Sequence, residues 1–269
     1  MSIKIWHQSF TVLQDLGAYD AALQAHFRRV ARPGTEVVMH GMKPGTYRSN
    51  YPGTDIRHAG LQHLHSLQFL AAGVQAEAQG FDAYALSTLP DPALREIRSL
   101  LQIPVVGYGE SAMLTSCLLG ARFAILVFIN ELTDLLADNA RQYGLRERLV
   151  GVSDVGFRFT DVLAGFADPA PLIERFKAAA RAQIAAGAEV IIPGEAPLCV
   201  LLATHGVSSV DGVPVLDSLS CWIKQAELLV DLKRQSGVQR CQRGYFNEPP
   251  PRERLHEILA FYGLDTLAR

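Results

Sequence analysis

No stretch of the 269 residues reaches the roughly 18 uninterrupted apolar positions of a membrane span. The most apolar segment, ARFAILVFIN, is short and flanked by charge, as a buried strand would be. The opening MSIKIWHQSF has one lysine and no apolar stretch of signal-peptide length, so a cytoplasmic protein is expected. Net charge is only −2, and no long run carries one sign. A nucleic-acid face or a membrane-surface patch is therefore not expected. Cysteine is sparse: Cys117, Cys199, Cys221 and Cys241 form no CxxC pair, and none stands at zinc-finger spacing from a histidine. Reduced thiols and no structural metal are expected. There is no P-loop and no GxSxG elbow, and GYGES lacks the spacing of a GxGxxG fingerprint, so no nucleotide cofactor is expected.

What is present is a 49% hydrophobic, 19% charged chain of globular composition. Short β-type runs alternate with helical patterns. The strand candidates are SIKIWHQ, TEVVMHG, DAYALS, IPVVGYG, RFAILVF, RLVGVSDV, AEVIIPG and VPVLDS. Several are near-continuous Val/Ile/Leu runs, the mark of strands covered on both faces. DPALREIRSLL, NELTDLLADNARQYG, PAPLIERFKAAARAQIAAG and SCWIKQAELLVDLKRQ carry apolar residues at helical spacing. This alternation predicts an α/β fold with parallel sheets and a ligand beyond the strands' carboxyl ends.

One internal echo stands out. GFDAYALSTLPDP begins at Gly80 and GAEVIIPGEAP at Gly187, 107 positions later. Each runs Gly, any residue, acid, β run, turn, and a Pro where a missing N–H does no harm at a helix start. Each follows an Ala-rich helical stretch. The period is too long for a solenoid and suits two similar lobes. Thr88 and Glu195 then hold equivalent strand ends and face each other across one cleft.

The same residues resemble the Asp/Glu racemase superfamily, in its hydantoin-racemase branch. Thr88-Leu89-Pro90-Asp91-Pro92 is similar to that family's Cys-Phe-Gly-Asp-Pro turn. IPVVGYGESAM, GARFAILV, GAEVIIPGE and VPVLDSLSCWIKQAE follow in the family's order, from about residue 80 to 230. The resemblance implies two pseudo-symmetric Rossmann-like lobes, 1–115 with 215–269 and 116–214, closing on a cofactor-free cleft, and a homo-oligomer. It also implies two cysteines, one on each face of the substrate. Here those positions are Thr88 and Glu195. A threonine hydroxyl does not ionise at neutral pH unaided, so two-thiol racemisation is not expected. The family's Asn-Pro-Asn after the first strand is replaced by His7-Gln8-Ser9, which implies a different substrate handle.

Glu195 is expected at the positive end of a helix starting near Pro197. The dipole favours its ionised form and burial opposes it. Such a carboxylate suits a general base, with helix capping as the other reading. Thr88 reads as a donor to an oxyanion or carboxylate, or as a turn residue bonding its own backbone; Ser87 is a weaker candidate of that kind. Asp91 reads as the N-cap of the helix after it. Glu110 and Ser111 read as cleft floor or first-turn residues. Tyr47, Arg48, Tyr51 and Arg57 lie in a Gly/Pro-rich loop, 40–60, that reads as a lid or anion-recognition arm, although either Arg taken alone reads first as surface charge. His7 and Gln8 close the first strand toward the ligand or stay structural. Cys199, one turn after Glu195, lines the pocket or packs as a buried thiol.

The first expectation is a hydrolase of a small carboxylate-bearing, hydantoin- or thiohydantoin-like ring, desulfuration included. Glu195 is its general base and the Thr88 turn its charge stabiliser. A one-base isomerase, epimerase or decarboxylase is the second reading, and a non-catalytic binder of cyclic amides or thioamides the third.

Overall fold

The computed structural model describes residues 2–49 and 51–266. Strands β1 (Ile3–Ser9), β2 (Thr35–His40), β3 (Ala83–Ser87) and β4 (Val105–Gly107) form one parallel sheet in the order β2-β1-β3-β4. Strands β5 (Phe123–Val127), β6 (Leu149–Asp154) and β7 (Val190–Pro193) form a second in the order β6-β5-β7. Strands β3, β5 and β7 are buried at every position, and edge strands β2 and β6 are mostly half-buried. That burial is why AYALS, FAILV and VIIP carry no polar alternation.

Helices α1 (Gly17–Val30), α2 (Gly53–Ile56), α3 (Ala59–Ala78), α4 (Leu94–Leu100) and α5 (Tyr108–Leu119) belong to the first half of the chain. Helices α6 (Thr133–Gln142), α7 (Phe159–Gly165), α8 (Ala170–Ala185) and α9 (Ala196–Thr204) belong to the second. A hairpin of β8 (Ser209–Val210) and β9 (Val213–Pro214) leads to α10 (Ser218–Ser236), and α11 (Arg252–Phe261) follows. The result is α/β with two pseudo-symmetric lobes, as the sequence predicts. The symmetry extends past the echo at Gly80 and Gly187. Tyr84 of β3 pairs with Val105 after Ile103-Pro104, and Ile191 of β7 pairs in parallel with Val215 after Val213-Pro214. IPVV and VPVL are thus counterparts beside equivalent strands.

Helix α10 packs back on the first lobe. Trp222 is fully buried there and its indole N–H donates to the Val106 carbonyl at 3.2 Å. Asp217 caps α10 by accepting from the Ser220 N–H at 3.0 Å and pairs with His26 at 3.2 Å. Gly237, at φ +68°, closes the helix in the left-handed conformation that favours glycine.

Two local expectations need correction. IPVVGYG is a strand only to Gly107, since α5 begins at Tyr108. Asp91 does not cap the helix after it. Its carboxylate accepts from the Gly109 and Glu110 N–H groups at 3.0 and 2.7 Å and so caps α5. The residue before α4 is Ala93, left-handed at φ +52°. Asp91 is itself at φ +50°, a conformation Asp tolerates better than most side chains. A Cβ at Gly107 would lie 2.7 Å from the Asp91 carboxylate, so only glycine lets the cap approach.

Candidate active site

The Pro193-Gly194-Glu195 turn has a packing cause. A Cβ at Gly194 would meet the Val127 side chain at 2.8 Å and the Leu126 carbonyl at 2.9 Å. The bare backbone therefore slides along the end of β5 and brings Glu195 beside the residues after that strand. Glu195 is the N-cap residue of α9 by position, yet its side chain makes no cap bond. Its carboxylate instead accepts from the Phe128 N–H at 3.1 and 3.2 Å and from the Ile129 N–H at 2.9 Å. Glu195 is only 7% exposed. Burial pushes its pKa up to about 7, against the lowering effect of those amides, and the Asp154 charge adds to the rise. An acid so poised exchanges protons near neutrality.

Thr88 follows β3 in the other lobe and is 8% exposed. Its turn is fixed by the Asp91 N–H donating to the Thr88 carbonyl at 3.1 Å. Helix α6 of the second lobe staples the same turn. Asn139 donates to the Pro90 carbonyl at 3.0 Å, and the adjoining Tyr143 phenol donates to Asp91 at 2.8 Å. Buried with these partners, Asp91 has its pKa raised to about 7, desolvation outweighing the hydrogen bonds.

Thr88 and Glu195 line one cavity of about 50 Å³. That is room for one or two waters, at about 30 Å³ each in the liquid. Ser87, Ser9, Thr11 and Tyr19 supply its other hydroxyls, and Phe128, Phe159 and Leu89 its apolar walls. Tyr51, Pro52 and Ile56 close it from the loop side. The Tyr51 ring stacks on Phe159 of α7 at 4.8 Å and 23°. Beside it Arg57 pairs with Glu131 at 3.1 Å, so the loop is fastened to the opposite lobe at two points.

Of the residues singled out from sequence, Thr88, Glu195, Ser87 and Tyr51 come together here. The others do not line this cavity. His7 is fully buried between Phe27 and Trp222, with Nδ1 3.2 Å from the His40 carbonyl, and burial lowers its pKa to about 3. Gln8 turns to the far side, accepting from the Trp6 indole at 3.0 Å. Tyr47 anchors the loop by donating to the Phe10 carbonyl at 2.7 Å. Arg48 is exposed. Glu110 is held by both guanidinium nitrogens of Arg98. Ser111 is buried, its carbonyl accepting from Gln225 at 3.4 Å. Cys199 lies 4.0 Å from Asp217, and burial pushes its thiol up to about 12.

Sequence reasoning named Ser9 only within the His7-Gln8-Ser9 handle and missed Thr11, Tyr19, Phe128, Ile129 and Phe159. The signal for Phe128 and Ile129 was within reach: they end the apolar run of β5, the strand beside β7, and their amides are the ones Glu195 meets. Nothing in the local sequence marks Tyr19.

Two parallel-sheet lobes that close an acid and a set of hydroxyls between equivalent strand ends define a small-molecule α/β enzyme. The chain belongs to the Asp/Glu/Hydantoin racemase family, whose model matches residues 18–226. It is 26% identical to a hydantoin racemase of Pseudomonas sp. (strain NS671) over 239 residues, 88% of each chain. The allantoin racemase of Pseudomonas fluorescens has the same fold, with a TM-score of 0.75 at 24% identity over 93% of this chain and 98% of that one. The allantoin racemase from Klebsiella pneumoniae superimposes with a TM-score of 0.73 at 23% identity over 93% and 95%. The chain is thus an enzyme of the racemase/isomerase family. Each of these relatives is named a racemase, and none supports the expected hydrolysis. Among the described residues no helix is long and apolar enough to cross a membrane.

Proposed function

We propose that this cavity hydrolyses a hydantoin- or thiohydantoin-type ring, with Glu195 as general base toward water. The observation that carries the reading is the cavity lining: Glu195 and Thr88 stand at the paired strand ends, and no cysteine lines the cavity among the described residues. With one titratable acid and no thiol, a proton cannot be taken from one face of a carbon and returned to the other by the family's two cysteines. One base and a bound water are enough for hydrolysis. The water proton passes to Glu195, its oxygen bonds to the ring carbon, and the C=O or C=S π pair moves onto the heteroatom. From a carbonyl, collapse of the oxyanion expels the ring nitrogen, which takes the proton back from Glu195. From a thiocarbonyl, the sulfur takes that proton and leaves as HS−, while the added hydroxyl gives its own proton to Glu195 and becomes the new C=O. The Thr88 hydroxyl orients the water or supports the charge. Ring entry requires the Tyr51–Ile56 segment to lift, because 50 Å³ does not hold a ring. The lobes acting on the ring are 1–115 with 215–269, and 116–214.

Family membership favours a second reading, proton transfer at the ring carbon by Glu195 alone, giving isomerisation or epimerisation. One experiment separates the two. 5-Methylhydantoin and 5-methyl-2-thiohydantoin are incubated with the protein in D2O and followed by NMR, with a sulfide assay. Ring loss or sulfide release without deuterium at C5 above the enzyme-free rate supports hydrolysis. Deuterium in recovered substrate supports one-base transfer. Saturable binding with neither leaves a binding protein and ends both readings.

A further inference from the structure

As a base draws a proton toward itself in this cavity, negative charge appears on the ring oxygen or sulfur. That atom needs donors. Among the described residues no Lys, Arg or His lines the cavity, so the donors are neutral. The first lobe supplies a row of them. Ser9 and Ser87 are register partners at the ends of β1 and β3, which puts their side chains on one face. The Ser87 hydroxyl is buried with no partner among the described residues. The Ser9 hydroxyl is engaged by that of Thr11 at 2.8 Å and by the Thr11 N–H at 3.1 Å.

Tyr19, from the first turn of α1, completes the row. It is 1% exposed, lines the cavity, and brings its phenol beside the Ser9 hydroxyl and the Cys199 thiol. Of the other phenols in the interior, Tyr108 is without a hydrogen-bond partner among the described residues but does not line the cavity, and three are spent elsewhere. Tyr47 donates to the Phe10 carbonyl at 2.7 Å, Tyr84 to the Phe69 carbonyl at 2.8 Å, and Tyr143 to Asp91 at 2.8 Å. Among the described residues no backbone carbonyl takes the Tyr19 proton, though a buried phenol ordinarily finds an acceptor. Burial holds this phenol well above its ordinary range, so it stays protonated. It lines the same cavity as Glu195, which comes from the other lobe.

We infer that Tyr19 is a catalytic hydrogen-bond donor: its O–H, in line with Ser9 and Ser87, binds the ring oxygen or sulfur that becomes negative. The phenol keeps its proton throughout, and the proton that moves is the one Glu195 takes and returns. The inference rests on the reading of this cavity as the reaction site and holds for hydrolysis and one-base transfer alike, since each puts negative charge on a ring heteroatom: the C4 oxygen in proton transfer at C5, and the oxygen or sulfur of the attacked carbon in hydrolysis.

The test is Tyr19→Phe beside Glu195→Gln, assayed with 5-methyl-2-thiohydantoin and 5-methylhydantoin. Tyr19→Phe is expected to lower kcat about 10²-fold, the usual scale for one lost donor to developing charge, with KM within about threefold. Its melting temperature should stay at the wild-type value. A Tyr19→Phe kcat within about threefold of wild type overturns the inference. An active Glu195→Gln beside a crippled Tyr19→Phe removes the base assignment and supports the donor. A readout independent of turnover is calorimetric titration of 5-methyl-2-thiohydantoin into Glu195→Gln and into Glu195→Gln carrying Tyr19→Phe, at pH 6 and at pH 10, where the ring N–H is ionised. About tenfold weaker binding of the ionised ring alone by the double variant supports the donor. Equal binding by the two proteins at pH 10 overturns it.

Discussion

Glu195 carries two opposing influences whose balance is measurable. Two amides pull its pKa down, burial pushes it up, and burial wins, setting it at about 7. A general base works only when deprotonated, so kcat/KM should rise with pH through about 7 and level off above it. Glu195→Gln should lower kcat by about 10²–10⁴-fold and abolish that limb of the profile. A flat pH–rate profile in the native protein would sink the assignment. The same shift has a consequence for stability. The folded carboxyl holds its proton up to about 7, and the unfolded one releases it near 4.5. The stabilising contribution is therefore full below pH 4.5 and is lost as pH rises through about 7, a change of about 3 kcal/mol for this group. Glu195→Gln lacks this loss, so it should gain stability relative to the native protein between pH 4.5 and 8. Urea unfolding at both ends of that range measures the difference, and a constant difference across it would contradict the burial argument.

At the scale of elements, the strands were legible because burial on both faces writes itself as uninterrupted Val, Ile and Leu. AYALS, FAILV and VIIP needed no partner to be recognised. Their ends were harder. IPVVGYG reads as one strand until Asp91, 18 residues earlier in the chain, captures the Gly109 and Glu110 amides and starts a helix. The Glu195 partners were hidden for the same reason: Phe128 and Ile129 meet it only once β5 and β7 lie side by side. Of the two readings of Cys199, the structure shows the buried packing thiol, because α9 is buried from Ala196 to Leu202 and one turn along it leads to Asp217. The loop expected as a lid or anion arm does cover the cavity, through Tyr51 instead of its exposed Arg48. Gly53 permits this, since a Cβ there would sit 2.1 Å from the Tyr51 ring. Gly53→Ala must displace that ring from Phe159. An aromatic pair is worth about 0.5–1.5 kcal/mol, so KM should rise by up to about tenfold. Hydrogen exchange across 51–56 should quicken in the same variant. Unchanged exchange and KM would mean the stack does not hold the loop shut.

At the scale of the whole molecule, two lobes of one pattern face each other with unlike residues at like positions. The repeat made both positions findable from sequence alone, because Gly80 and Gly187 index them. The hydroxyl wall was findable only in pieces, Ser87 beside Thr88 and Ser9 within His7-Gln8-Ser9, since these and Tyr19 become neighbours only through β1–β3 pairing and the placement of α1. The family fold thus persists around a cavity whose described lining holds one acid and several hydroxyls where the resemblance implies two thiols. The four cysteines lie elsewhere. Cys199 is buried, with its thiol pushed up to about 12; Cys221 is half-buried and pushed up to about 11 by burial. Cys117 is half-buried on α5, and Cys241 is exposed beyond α10. Only a thiolate attacks an alkylating reagent, so Cys241 should react first and Cys199 scarcely at all at neutral pH. Iodoacetamide treatment, with the modified sites read by mass spectrometry, should leave turnover within about twofold of the untreated protein once Cys241 is fully alkylated. A racemase working through two thiolates would be silenced by the same treatment. Loss of activity in step with modification of Cys199, matched by the same loss in Cys199→Ser, would show that a thiol takes part after all, and would return the chemistry of this cleft to proton transfer through sulfur.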